Sequence, residues 1–109
     1  MYRGTTPTIV FNVNEEYDMT DVVQLWVTLK NPRNTISYEK TFDIDHCVID
    51  TTNNTITIGL TQQDTLDIKG LDYFEAQIRF LKQNGMASAS DIVKLEVNRI
   101  LKDGVITNE

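Results

Sequence analysis

The chain has one cysteine and one histidine in 109 residues. A lone Cys47 excludes an intrachain disulfide, so the fold must rest on its core or on neighbouring subunits. A lone His46 with a lone Cys47 cannot supply the roughly four nitrogen or sulfur ligands of a zinc site. Nor do they form a nucleophile–base pair, because adjacent side chains of an extended strand point to opposite faces. The glycines are scattered at Gly4, Gly59, Gly70, Gly85 and Gly104, which is not the clustering of a phosphate-cradling loop. Apolar runs are short, so no membrane-spanning helix is expected. Met1–Pro7 lacks an apolar signal core, so synthesis and folding in a reducing cytoplasm are expected. Basic residues are outnumbered 10 to 16 by acidic ones, for a net charge of −6. They are also dispersed, and a negative field repels phosphate, so neither nucleic acid nor an anionic membrane is expected as partner.

What is present is alternation. Apolar residues make up 40% of the chain, enough for one packed core and one domain spanning residues 1–109. The best-specified stretch is Asp72–Arg99. Tyr73–Lys82 places Phe74, Ala76, Ile78 and Phe80 on one side, and Met86–Arg99 returns with Val93, Leu95 and Val97 inward. Asn84-Gly85 between them predicts a two-residue type I′ hairpin.

The rest of the chain repeats the period of two. Thr8–Val13 turns Ile9, Phe11 and Val13 inward, and Asn14–Asp18 reads as a turn. Asp21–Lys30 is a strand with Val23, Leu25, Val27 and Leu29 on one face. It pairs with Ile36–Phe42 across Asn31-Pro32-Arg33-Asn34. In that second strand Ile36, Tyr38 and Phe42 share a side, and Lys40 falls at its rim. His46–Asp50 is a short strand around Val48. It turns at Asn53-Asn54 into Thr55–Leu60, with Ile56, Ile58 and Leu60 inward. Thr61 and Asp64 read as a helix cap over one turn that tucks Leu66 onto the core, with Gly70 beyond it. The expectation is an immunoglobulin-like antiparallel β-sandwich of about seven strands with one short helical turn. A short arm, residues 1–7, and a tail, residues 100–109, flank it.

Chemistry is sparse. Asp43, Asp45 and Asp50 form the best carboxylate group, but the glycine and closing glutamate of a calcium loop are missing. A solvated acidic loop is the reading, and Glu15-Glu16 is a charged turn. No catalytic residue, cofactor or metal is expected. The outward parities of Val10, Trp26, Leu81 and Ile92 leave two readings: surface covered by another chain, since exposed tryptophan is enriched among interface anchors, or, for Trp26, a second strand face covered by a loop or the arm. The arm and Val105-Ile106 read as ends without partners, either suited to adding to a neighbour's sheet edge or simply frayed.

Three segments together resemble a known group. Tyr2-Arg3-Gly4-Thr5-Thr6-Pro7-Thr8 is similar to the RGTTPT start of small structural proteins of tailed phages and prophages of Firmicutes. Leu60–Leu66 resembles their LTQEET stretch. Ala87–Ile92 with Val97–Ile106 resembles their ALAS-I … VERILKDGVI ending. Related modules form the N-terminal part of phage baseplate upper proteins. This chain departs from the pattern in a longer Asn31–Asp50 region.

The resemblance implies a non-enzymatic virion structural or adaptor protein of the tail or baseplate. It would act by protein–protein assembly with other phage structural proteins, as a homo-oligomer or docked on one. The expected contact residues are Arg3, Thr5, Thr6, Trp26, Leu101, Val105 and Ile106. The alternative is a carbohydrate-binding β-sandwich, which needs Tyr17, Trp26, Tyr38 and Tyr73 gathered on one face.

Overall fold

The computed structural model describes residues 1–13, 19–31, 38–68, 72–98 and 100–107. The expected turns at Asn14–Asp18 and Pro32–Asn34, and the readings for Glu15, Glu16, Tyr17, Ile36, Gly70 and Arg99, lie outside these residues. Two antiparallel sheets pack face to face. The first is β1 (Thr8–Asn12), β5 (Thr55–Gly59) and β4 (Val48–Asp50), in that order. The second runs β3 (Glu39–Phe42), β2 (Val22–Lys30), β6 (Tyr73–Lys82), with β7 (Ala87–Ala89) and β8 (Val93–Glu96) both on the far side of β6. One helix, α1 (Gln62–Leu66), links the sheets between β5 and β6. This is the immunoglobulin-type order, B-E-D against C′-C-F-G.

The core lies between the sheets and follows from the period of two. Leu25, Val27 and Leu29 of β2 meet Ile56 and Ile58 of β5 and Phe74, Ala76, Ile78 and Phe80 of β6, all buried. Each such large side chain contributes roughly 1.5–3 kcal/mol through burial. Tyr38 closes one end, its ring edge-on to Phe74 at a centroid distance of 6.2 Å. α1 is held at its start by a full capping box: Asp64 N–H donates to Thr61 Oγ1 at 3.1 Å, and Thr61 N–H to the Asp64 carboxylate at 2.9 Å. Leu66 is buried, as its sequence position suggests.

Four local expectations give way to geometry. The β2–β6 register shifts between Val22 and Gln24. This bulge leaves Val23 exposed, and Val22 packs toward the core in its place. An inserted residue breaks the alternation at that point. The β6–β7 connection is a three-residue loop, not a type I′ pair: Gly85 N–H donates to the Lys82 carbonyl oxygen at 2.9 Å, and Lys82 N–H to that of Met86 at 2.9 Å. Only Gly85 has positive φ there, +88°, the pattern of a type I turn closed by a glycine bulge. The returning strand is then split at Ser90–Ile92. Ser90 Oγ accepts from Ile78 N–H at 3.0 Å in place of a regular ladder bond, and Val93 stays exposed. Residues 44–46, assigned in part to a strand, form a 3-10 turn, and Val48 faces out with Ile49 turned inward.

Candidate functional site

The arm and the tail are not loose ends. The Met1 ammonium donates to the Glu96 carbonyl oxygen, and Asn98 N–H to that of Met1. Arg3 N–H donates to the Asn98 carbonyl oxygen at 3.1 Å, so Tyr2 and Asn98 form a parallel bridge. Gly4 then turns with φ +73°, and a Cβ there would sit 3.1 Å from Ile100 Cδ1 and 3.3 Å from Leu66 Cδ2. That position needs glycine both for its dihedral and for the close approach. Beyond it, Thr65 Oγ1 donates to the Thr5 carbonyl oxygen at 2.9 Å, and Thr5 Oγ1 to that of Tyr2 at 2.6 Å.

Arg3 is the pivot of this knot. Its side chain is buried, donating to the Leu66 carbonyl oxygen at 2.7 Å and to the Asp103 carboxylate at 3.3 Å. The far part of the tail is fastened by one side-chain amide: Gln62 Nε2 donates to the Ile106 carbonyl oxygen at 3.1 Å, and Ile106 N–H to Gln62 Oε1 at 2.7 Å. The reading of these ends as unpartnered is therefore corrected. Local sequence could not show it, because the partners lie on α1 and β8. The side chains of Leu101, Val105 and Ile106 still point to solvent, Leu101 almost completely. Thr5 and Thr6 are exposed too.

Trp26 lies elsewhere. It sits directly across from Arg79 on the outer face of the second sheet, with the guanidinium carbon 5.6 Å from the ring centroid. Such stacking on an exposed ring is worth roughly 0.5–1 kcal/mol. Leu81, Ala87 and Ser88 complete a shallow hollow of about 200 Å³ beside it, and the bulged Val23 is also exposed. Arg79 lies about 20 Å along β6 from Tyr73, near which the arm docks, at ~3.3 Å per residue. Six of the seven expected contact residues thus fall on two surfaces, an end formed by arm, tail and α1 and a face centred on Trp26; Arg3 is instead buried beneath the first.

The described members of the aromatic set for a sugar platform, Trp26, Tyr38 and Tyr73, are not gathered; Tyr17 lies outside the described residues. Tyr38 is in the core, its hydroxyl pKa raised by burial and by the charges of Asp64 and Asp67. Tyr73 stands under Lys94 Nζ at 4.8 Å, at the opposite end of β6 from the Trp26 hollow.

Reactive groups are individually satisfied. Lys40 reaches α1, with Nζ 2.9 Å from the Asp67 carboxylate and 3.9 Å from that of Asp64. Its hydrogen bond raises the Lys40 pKa and lowers that of Asp67. His46 Nδ1 lies 2.6 Å from Asp43. Burial, reinforced by the Asp43 charge, pushes the Cys47 thiol up to about 11, the reverse of what a nucleophile needs. Among the described residues no three His, Cys, Asp or Glu side chains are grouped to hold a metal. No helix among them is long and apolar enough to cross a membrane.

Comparison with family models, curated proteins and solved structures finds no match.

Proposed function

We propose that this chain is a non-enzymatic structural or adaptor module of a phage or prophage tail or baseplate, working by protein–protein assembly. The observation that supports this reading most is the Trp26 face, where tryptophan, arginine and leucine share one exposed patch. Those residue types, on a rigid sheet beside a hollow, are what interface hot spots are made of. The second surface adds Leu101, Val105 and Ile106, three exposed apolar side chains on a main chain anchored to α1. A flexible tail would lose ordering entropy on binding, whereas this one is held in advance. The resemblance of the arm and the tail to phage structural proteins supplies the context. Association with other phage structural chains, and presence in the virion, belong to the same proposal.

The test is complementation. Deleting the gene from its phage or prophage should yield particles with defective tails or baseplates in electron micrographs, restored by the wild-type chain. Normal infectious particles from the deletion would overturn the reading. A Trp26→Ala chain should keep its β-sheet spectrum yet restore assembly poorly, because truncating a hot-spot tryptophan costs about 2 kcal/mol or more of binding, roughly 30-fold.

A further inference from the structure

The first sheet is one strand short. Immunoglobulin-type sandwiches of this order carry a strand A outside strand B, and here the position outside β1 is vacant among the described residues. The arm does not fill it, because Tyr2 bridges Asn98 on the opposite sheet's side.

The vacancy has a defined hydrogen-bonding edge. Val13 N–H donates to the Asn54 carbonyl oxygen at 2.9 Å, and Leu60 N–H to that of Pro7 at 3.0 Å. Between these points the register runs from Thr8↔Gly59 to Asn12↔Thr55. Because hydrogen-bonded and non-bonded pairs alternate in an antiparallel ladder, Ile9 and Phe11 direct their main-chain groups to β5. Thr8, Val10 and Asn12 direct theirs to the open side.

Behind that edge lies a groove of about 490 Å³, open to solvent and walled by Ile9, Phe11, Ile78, Phe80, Val93 and Leu95. The split at Ser90–Ile92 opens its far wall. Its single charged lining residue among the described residues is Asp91, on a chain of net charge −6.

A free five-residue edge beside an apolar groove suits one kind of occupant. A helix could not meet the row of main-chain donors and acceptors; an extended strand meets them and turns every second side chain into the groove. We propose that the β1 edge accepts a single extended strand from a different polypeptide, antiparallel to β1. Its groove-facing side chains are apolar, and its outward ones are neutral or basic. This names the partner chemistry for the assembly role above and rests on that reading.

The probe is a displayed library of random nine-residue peptides, selected on the full chain. Enriched peptides should alternate apolar with neutral or basic residues. They should lose at least tenfold in affinity for Val10→Pro, which removes an edge N–H that β5 does not use and so leaves the native ladder intact. Val93→Glu, at the groove mouth, should weaken the same peptides without touching the edge. No enrichment, peptides without alternation, or equal binding to both variants would overturn the proposal. So would a wild-type homodimer that Val10→Pro dissociates, since the donor would then be a second copy. In the complementation test, a Val10→Pro chain that restores particles as well as wild type removes this inference and leaves the functional reading standing. A deletion without phenotype removes the functional reading, whatever the peptides show.

Discussion

The Arg3 guanidinium donates to the Leu66 carbonyl oxygen at 2.7 Å, tying the arm to the last residue of α1. The bond is buried, and it joins residues far apart in the chain. Arg3→Met keeps the stem's packing and removes the donor, leaving a buried carbonyl unsatisfied. The expected loss is about 1–3 kcal/mol, read as a lower urea midpoint. The pairing with the exposed Asp103 carboxylate adds little, under about 1 kcal/mol, so Asp103→Asn should move the midpoint far less. Equal midpoints for Arg3→Met and wild type would place the arm outside the cooperative unit. By the same argument, deleting Met1–Pro7 lowers fold stability as well as removing a contact surface, so point variants on the exposed side are the cleaner test of assembly.

Gln62 holds the tail through two bonds to one residue. Gln62→Ala should release residues 103–107 while leaving the sheets intact. Hydrogen exchange is the direct readout: the Ile106 amide should lose protection, and amides of β2 and β6 should not. Global stability should fall by less than about 1 kcal/mol, because both bonds are exposed to solvent. Unchanged protection at Ile106 would contradict the role assigned to Gln62.

The His46–Asp43 pair makes a pH window. Donating a hydrogen bond to the Asp43 carboxylate raises the His46 pKa above its ordinary 6.5, and the same bond lowers Asp43 below its ordinary 3.8. A raised histidine stabilises the fold fully below 6.5, and that contribution disappears as pH rises through the folded-state value. A lowered aspartate stabilises above 3.8, and its contribution disappears as pH falls through the folded-state value. Both are present together between roughly pH 4 and 6.5. NMR titration should show His46 above its free value in the wild type and returned toward it in Asp43→Asn. Identical titrations in the two proteins would dissolve the pair.

Much of the fold is legible because burial on one face imposes a strict period of two. Leu25, Val27 and Leu29, then Ile56 and Ile58, then Phe74 through Phe80, all lie where alternation places them. The Thr61–Asp64 cap is also readable, since its partners are three residues apart. Val23 is misread because a bulge inserts one residue, and no local signal announces where a partner strand shifts register. Asn84-Gly85 marks the turn correctly but not its type; the loop takes in Gln83 and leaves only Gly85 at positive φ. Of the candidate site, Trp26 is readable from parity alone. Its stacking with Arg79 is not, because that depends on which residue of β6 faces it.

The sequence alone therefore determined an all-β sandwich with a one-turn helix and a tryptophan on its outer face. These follow from local periodicity, capping and parity, each settled within a few residues of chain. Only the tertiary structure decided that the arm and tail knot together through Arg3 and Gln62, and that among the described residues β1 is left with an open edge over an apolar groove. Both are relations between segments distant in sequence, set by how two sheets and one helix meet, and no neighbouring residue carries that information.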